Sequence, residues 1–370
     1  MPLPEDTVEG RLTVGGTLNS PLPIALYKTT AFITTASRMR VMDTVSGKVT
    51  ATISPHSTPA SDSEWASPGQ ASAPLLATSA GARVVIAPFV VKLSGTGTQA
   101  SHVAVEVIAT DADTGRVLWR VTLRPPEWDS AGDLQATAVG ADHGVAVIRV
   151  STSDDDSSAA YGVDLDRPRQ LWSVDEFEAD AVTSRTVAGA LLEDDEQRPA
   201  GFDLATGKRL WQGSVGTGVG VSTVGPRLHV RGENPDNADP YHRLVDARTG
   251  RTLHTLPADL GDSDTDCTYD GLGVMVCAYG MGGSRVAYGL DATDGKVLWH
   301  LPDKQADRIA PKVTTAWHGR VYGETTNGAI ALDARTGKDL PSPGAAPLLV
   351  NESTGIGLGD SGLTAYPTSS

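Results

Sequence analysis

LDATDGKVLWHL, residues 290–301, reads as a β-hairpin. Before the turn, Val286, Tyr288 and Leu290 alternate with Ala287, Gly289 and Asp291; beyond it, Val297, Trp299 and Leu301 alternate with Leu298 and His300. Period-two alternation on both sides of a turn signal is the strand–turn–strand pattern. Asp291 can cap backbone N–H groups two or three residues on. Gly295 can take the positive φ of a bulged hairpin. Trp299 adds a large apolar ring with one N–H that needs a partner.

The element recurs. Related stretches run over 41–53, 110–121, 163–174, 202–213, 245–256 and 332–340. Their leading aspartates are Asp43, Asp111, Asp164, Asp203, Asp246, Asp291 and Asp333, separated by 68, 53, 39, 43, 45 and 42 residues. Six copies keep a glycine, among them Gly115, Gly207, Gly250, Gly295 and Gly337; the third has Arg167-Pro168, so its turn must be built differently. Trp119, Trp172, Trp211 and Trp299 end four copies, and His254 takes that place in the fifth. The later gaps match four-stranded propeller blades of about 40–50 residues. In the sixth unit strands are expected at 265–270, 274–279, 285–291 and 296–301, and in the seventh at 312–316, 320–325 and 328–333 before a short fourth.

Three further strands are expected at 347–350, 355–359 and 363–366, without a fourth. A spare strand at 10–14, ahead of a first unit at 22–53, is expected to complete that blade and remove an exposed sheet edge. The expected fold is therefore all-β: an eight-bladed β-propeller of four-stranded antiparallel blades, with seven blades the alternative. Residues 1–370 are read as one domain. The Ser/Pro-rich stretch 54–74 is read as a flexible insertion without a core, and 233–240 as another long polar loop.

Composition agrees. The 370 residues include 40 Gly and 23 Pro, and no stretch of helical period runs free of both. A net charge of −15 argues against nucleic acid or anionic lipid as partners. No run of residues is apolar enough for a membrane helix. The polar stretch after Met1 does not read as a signal peptide, so the chain is read either as cytoplasmic or as following a removed signal or anchor. Cys267 and Cys277 flank a Gly-rich turn, and paired strands would set the two thiols opposite each other as a disulfide. A disulfide would place the protein in an extracytoplasmic compartment; two buried free thiols are the alternative.

The repeated A-x-D-x-x-T-G-x-x-x-W signature resembles the PQQ-like, tryptophan-docking β-propeller repeat. That repeat occurs in quinoprotein alcohol dehydrogenases and in the non-catalytic propeller lipoprotein of the outer-membrane assembly machinery. The resemblance covers most of the chain and implies that each Trp packs between neighbouring blades while Asp and Gly shape the turn. It does not fix function. The dehydrogenases carry an adjacent Cys-Cys disulfide against the quinone, a calcium held by acidic and amide side chains, and an aspartate base. Cys267 and Cys277 do not match that motif, so no cofactor residue carries over and no cofactor is expected.

Other motifs are weaker. GDSG at 359–362 resembles a serine-protease nucleophile segment, but a tight turn explains it better. Asp262, Asp264 and Asp266 resemble the start of a calcium loop, but Cys267 and Gly273 stand where its Gly and closing Glu belong. The glycine run 213–220 lacks the Lys-Ser/Thr end of a phosphate loop and reads as a blade-to-blade connection. The histidines, His229 and His242 included, lack metal-ligand spacing. Asn351-Glu352-Ser353 fits a glycosylation pattern.

The expected function is a non-enzymatic, extracytoplasmic interaction scaffold or sensor module, part of a membrane-anchored protein whose anchor lies outside this segment. A protein, peptide or glycan would bind at the rim loops. The alternative is a PQQ-dependent dehydrogenase or other propeller enzyme with its site at the central channel.

Overall fold

The computed structural model describes residues 1–4, 7, 22–60, 71–95, 97–98, 100–128, 134–152, 157–193, 196–257, 260, 265–281, 284–359 and 362–368. These form eight antiparallel sheets, each made of strands consecutive in the chain. The sheets are blades of a propeller, and among the described residues no helix accompanies them. Blades 1 to 8 span residues 24–53, 58–123, 134–175, 177–212, 217–255, 266–301, 312–340 and 349–367. The first strands of neighbouring blades meet one another, so each blade begins at the axis and ends at the outside. The expected strands of blades 6 and 7 are found, two of them, Arg320–Thr325 and Gly328–Asp333, with the expected bounds.

The ring closes through the chain's start. Met1 N donates to Ala365 O at 2.7 Å, Ala365 N to Met1 O at 2.8 Å, and Leu3 N to Leu363 O at 2.8 Å. Residues 1–3 thus run antiparallel to the strand Gly362–Pro367 and form the missing outer edge of blade 8. The strand expected at 10–14 lies outside the described residues. Among the described residues the closing pairing is made at 1–3, where Leu3 joins Ile24, Leu26, Ile356 and Leu363 in a shared core.

Blade 2 corrects the reading of 54–74 as a coreless insertion. Thr58–Pro59 pairs with Lys92 and Val91, extending the inner edge beyond Leu75–Ser79, so that both short strands sit on the long strand Ala82–Leu93. Glu106, buried in this sheet, accepts the backbone N–H groups of His56 and Ser57 and pairs with Arg120 at 2.8 Å. A buried carboxylate satisfied this way fastens the insertion's base to the blade.

The hydrophobic core is divided. Eight clusters occur, one at each blade interface. The smallest lies between blades 7 and 8 and holds only Tyr322, Ala331 and Val350 as buried members.

The repeat motif explains how most interfaces are held. Asp111 Oδ1 accepts the N–H and hydroxyl of Thr114 at 2.8 and 2.7 Å, while Gly115 N bonds Asp111 O. Asp203, Asp246 and Asp333 repeat this turn. Asp291 keeps it in part, capping Thr293 N, because Asp294 replaces the threonine. In the third copy Asp164 still caps Asp166 and Arg167, so proline replaces glycine without loss of the cap.

Three indoles cross to the next blade. Trp172 Nε1 donates to Leu204 O at 2.8 Å, Trp211 to Ala247 O at 2.9 Å, and Trp299 to Ala334 O at 2.7 Å. Each acceptor directly follows the next blade's motif aspartate. The ring lies between two glycines. A Cβ on Gly162, Gly201 or Gly289, the cross-strand partners, would overlap the indole of its own blade. A Cβ on Gly207, Gly250 or Gly337, all at positive φ, would stand 2.8, 2.5 and 2.6 Å from the indole of the preceding blade.

Trp119 packs against the core between blades 2 and 3 as implied, but without glycine beside its ring. Its cross-strand partner is Ala109, and the next blade offers Pro168 in place of glycine. The ring lacks bare backbone on either side, and Leu165 O accepts from Ser79 Oγ at 3.0 Å. Where His254 replaces Trp, Arg227 Nη1 crosses to Ala292 O at 2.9 Å.

Trp211→Ala and Trp299→Ala are each expected to cost about 3–5 kcal/mol, and Trp119→Ala clearly less. Gly337→Ala is expected to cost more than about 1 kcal/mol, from positive φ and collision with the indole. Denaturant midpoints of the four variants check this order.

Candidate functional site

The motif residues Asp111, Gly115, Trp172, Asp203, Gly207, Trp211, Asp246, Gly250, Asp291, Gly295, Trp299, Asp333 and Gly337 are dispersed over the blades in the structural roles just described. They assemble no site. Cys267 and Cys277 form a disulfide, opposite one another in register with Cα atoms 4.1 Å apart. Cys277 sits in the core between blades 5 and 6. Asp262 and Asp264 lie outside the described residues, and Asp266 begins the strand Asp266–Tyr269. Among the described residues no three His, Cys, Asp or Glu side chains converge to hold a metal ion.

Gly359 and Gly362 are paired at a hairpin end; the intervening Asp360 and Ser361 lie outside the described residues. Asn351 does not offer itself as a sugar acceptor. It is buried, its Oδ1 accepts Ser353 and Thr354 N–H, and its Nδ2 donates to Lys28 O at 3.0 Å, joining blade 8 to blade 1. The glycine run 213–220 does connect blades, with Gly213 N and Gly216 N bonded to Pro199 O and Gln197 O.

Polar residues that motif reasoning passed over come together where blades 3, 4 and 5 meet. The innermost strand of blade 4, Phe177–Thr183, alternates. Phe177 and Ala179 enter the core against blade 3, and the ladder slips at Asp180, so that Ala181 enters the core against blade 5. Arg149, from the second strand of blade 3, donates through Nη1 to Glu178 Oε1 at 3.0 Å and Asp180 Oδ1 at 2.8 Å. Val221 N of blade 5 reaches Asp180 Oδ2 at 3.3 Å. Burial, with the Glu178 carboxylate beside it, outweighs Arg149 and Arg231 and pushes Asp180 up to about 7. A carboxyl divided between its two forms at neutral pH can hold or pass a proton. Two acids alternating on an inner strand, FEADAVT, were the available sequence signal.

A second buried polar pair lies in blade 5. His229 Nε2 and His242 Nδ1 are 3.0 Å apart, with the rings stacked. Burial, then the neighbouring His242 and Arg231, push His229 down to about 3, so it stays neutral.

The rims differ. Connections between the first and second and between the third and fourth strands emerge on one side, and none exceeds five residues. Two-residue turns with positive φ, such as Ala80-Gly81, His143-Gly144 and His318-Gly319, are typical there. Among the described residues, the opposite rim carries the longer connections 234–239, 302–311 and 341–348.

Residues 103–233 and 200–343 match the family described as outer membrane protein assembly factor BamB, a PQQ-like propeller family. The chain belongs to this family. No curated protein matches it. Among solved structures, the quinohemoprotein alcohol dehydrogenase ADHIIG from Pseudomonas putida HK5 is 12% identical, with 92% of this chain and 70% of that one covered at a TM-score of 0.49. A europium-containing methanol dehydrogenase is 11% identical, covering 89% and 79% at 0.49. The Kuenenia stuttgartiensis hydrazine synthase is 13% identical, covering 87% and 99% at 0.44. Identities this low carry no residue correspondence. The cross-strand disulfide and the Arg149–Glu178–Asp180 cluster do not fit the vicinal disulfide and calcium arrangement of quinone enzymes.

Asp180 and His229 tilt stability in opposite directions. The folded chain holds the Asp180 proton more tightly than the unfolded chain does. Its contribution is therefore full below pH 3.8 and lost as pH rises to about 7. His229 refuses a proton the unfolded chain accepts near 6.5, so stability falls as pH drops from 6.5 towards 3. Asp180→Asn should flatten the loss of melting temperature between pH 6 and 8 and raise its value at pH 8. Replacing Cys267 and Cys277 together by Ala should lower stability by about 2–3 kcal/mol, read as a denaturant midpoint, and added reductant should shift only the parent protein.

Proposed function

We propose that this propeller is a non-enzymatic, extracytoplasmic interaction scaffold or sensor that presents its long-loop rim to a protein, peptide or glycan. The sorting of connections carries this reading: one rim is reduced to tight turns, and the other bears nearly all the length that sequence variation can use. The Cys267–Cys277 disulfide supports an oxidising compartment, and membership of an assembly-factor family supports a role through contacts. No helix among the described residues is long and apolar enough to cross a membrane.

Asp180 favours a second reading, an enzyme working where the inner strands meet, because a carboxyl at about 7 suits proton transfer. The two readings separate experimentally. Photocrosslinkers at Asp236 on the long-loop rim and at Ser46 on the turn rim are compared in the cells that make the protein. The scaffold reading expects a recurrent adduct from position 236 and none from 46. Turnover in dye-linked assays with added PQQ and calcium, abolished in Asp180→Asn, would replace it with the enzyme.

A further inference from the structure

The interface between blades 7 and 8 lacks the indole that crosses three of its sisters. The Trp position of blade 7 is Pro341, and its outer strand is cut to Asp339–Leu340. The buried core there is the smallest of the eight. An open groove of about 550 Å³ occupies the space, walled by Tyr322, Ala331, Leu340, Val350 and Tyr366. That volume is in the range of pockets that hold small ligands.

The groove keeps the acceptor position of the docking arrangement. Thr368 N bonds Ser353 O at 3.2 Å, as Ala334 N bonds Gly319 O and Leu204 N bonds Arg185 O in blades 7 and 4. Thr368 therefore stands where Leu204, Ala247 and Ala334 receive an indole N–H. It lines the groove, and its Oγ1 is buried without a hydrogen-bond partner. Such a group is costly unless something reaches it. Arg320, on the same groove, has no ion-pair partner among the described residues. It is a cation left over in a chain of net charge −15.

We propose that the blade 7–8 groove is a binding site for a tryptophan side chain of a partner, flanked in the partner by a carboxylate. The indole lies against Leu340, Pro341 and Tyr366 with its N–H directed to Thr368, and the carboxylate meets Arg320. The chemistry of the ligand is set by what the same chain places at the equivalent position of blades 3, 4 and 6. Those blades have glycine across from the ring, whereas blade 7 has Ala331, buried at the groove wall. A ligand not tied to the strand can shift outward by that methyl. The proposal holds whether or not the long-loop rim binds a partner.

The test is calorimetric titration of the full chain with N-acetyl-L-tryptophan, its amide, and N-acetyl-L-alanine. The tryptophan acid is expected to bind at roughly 10⁻⁴ M, the amide roughly threefold more weakly, and the alanine compound not at all. Ala331→Gly should tighten binding by roughly tenfold, the worth of one methyl-sized space. Ala331→Leu should abolish it, with an unchanged melting temperature showing that the ring is intact. Arg320→Gln should erase the difference between acid and amide. No saturable binding, or binding indifferent to both Ala331 substitutions, overturns the site. A dimer that the probe dissociates would assign the groove to a second copy of the chain and overturn the partner.

Discussion

A flat indole laid between two stretches of backbone without side chains is the contact on which this ring depends. The ring must be accepted on both faces, and only glycine leaves the space. Gly162, Gly201 and Gly289 supply it within the blade, and Gly207, Gly250 and Gly337 supply it from the next. The indole N–H then satisfies a carbonyl that would otherwise be buried at the seam. Where one of these partners is missing, another donor or another surface takes over. Arg227 reaches Ala292, and Ser79 reaches Leu165. Between blades 8 and 1, Thr44 and Thr354 meet at 3.0 Å while Asn351 spans to Lys28. The eight seams are chemically unequal solutions to one geometric problem, and the seam after blade 7 is the least filled.

The polar interior follows the same economy. Glu106, Asp180 and Asp270 are drawn inward, and each accepts at least one backbone N–H. Asp270 alone accepts from Leu272, Gly273 and Val274. These bonds hold loops and neighbouring sheets in register where apolar contacts run out. Asp180 differs because its burial, with a second carboxylate beside it, leaves its charge unsettled near neutrality.

The blades were legible because their information is local. An aspartate, a glycine and a ring at fixed offsets specify a hairpin, and repetition specifies the ring. The cross-strand cysteines were legible for the same reason, since register in a hairpin follows from spacing. Closure through residues 1–3 was not, because three residues carry no period and their partner lies at the other end of the chain. Thr58–Pro59 was hidden for a related reason: two residues in a Ser/Pro-rich stretch show no alternation. The Arg149–Asp180 pair needs two strands from different blades and Val221 from a third, so no window of sequence contains it. Trp119 packs at its seam as the motif implies, but its want of flanking glycines was not legible, because Ala109 and Pro168 lie outside the motif's own residues.

Closure by residues 1–3 also sets the order in which the molecule can be made. Met1 and Ala365, which bond across the seam, are 364 residues apart in sequence. During synthesis residues 1–3 must wait for residues 363–365, which pair with them. Until then blade 1 has no neighbour on one side, and the apolar residues it shares with blade 8 face solvent. Non-local pairing of this kind is slow and exposes edges that aggregate. The propeller is thus an open arc while blades 1 to 7 are made, and it becomes a ring only once blade 8 follows.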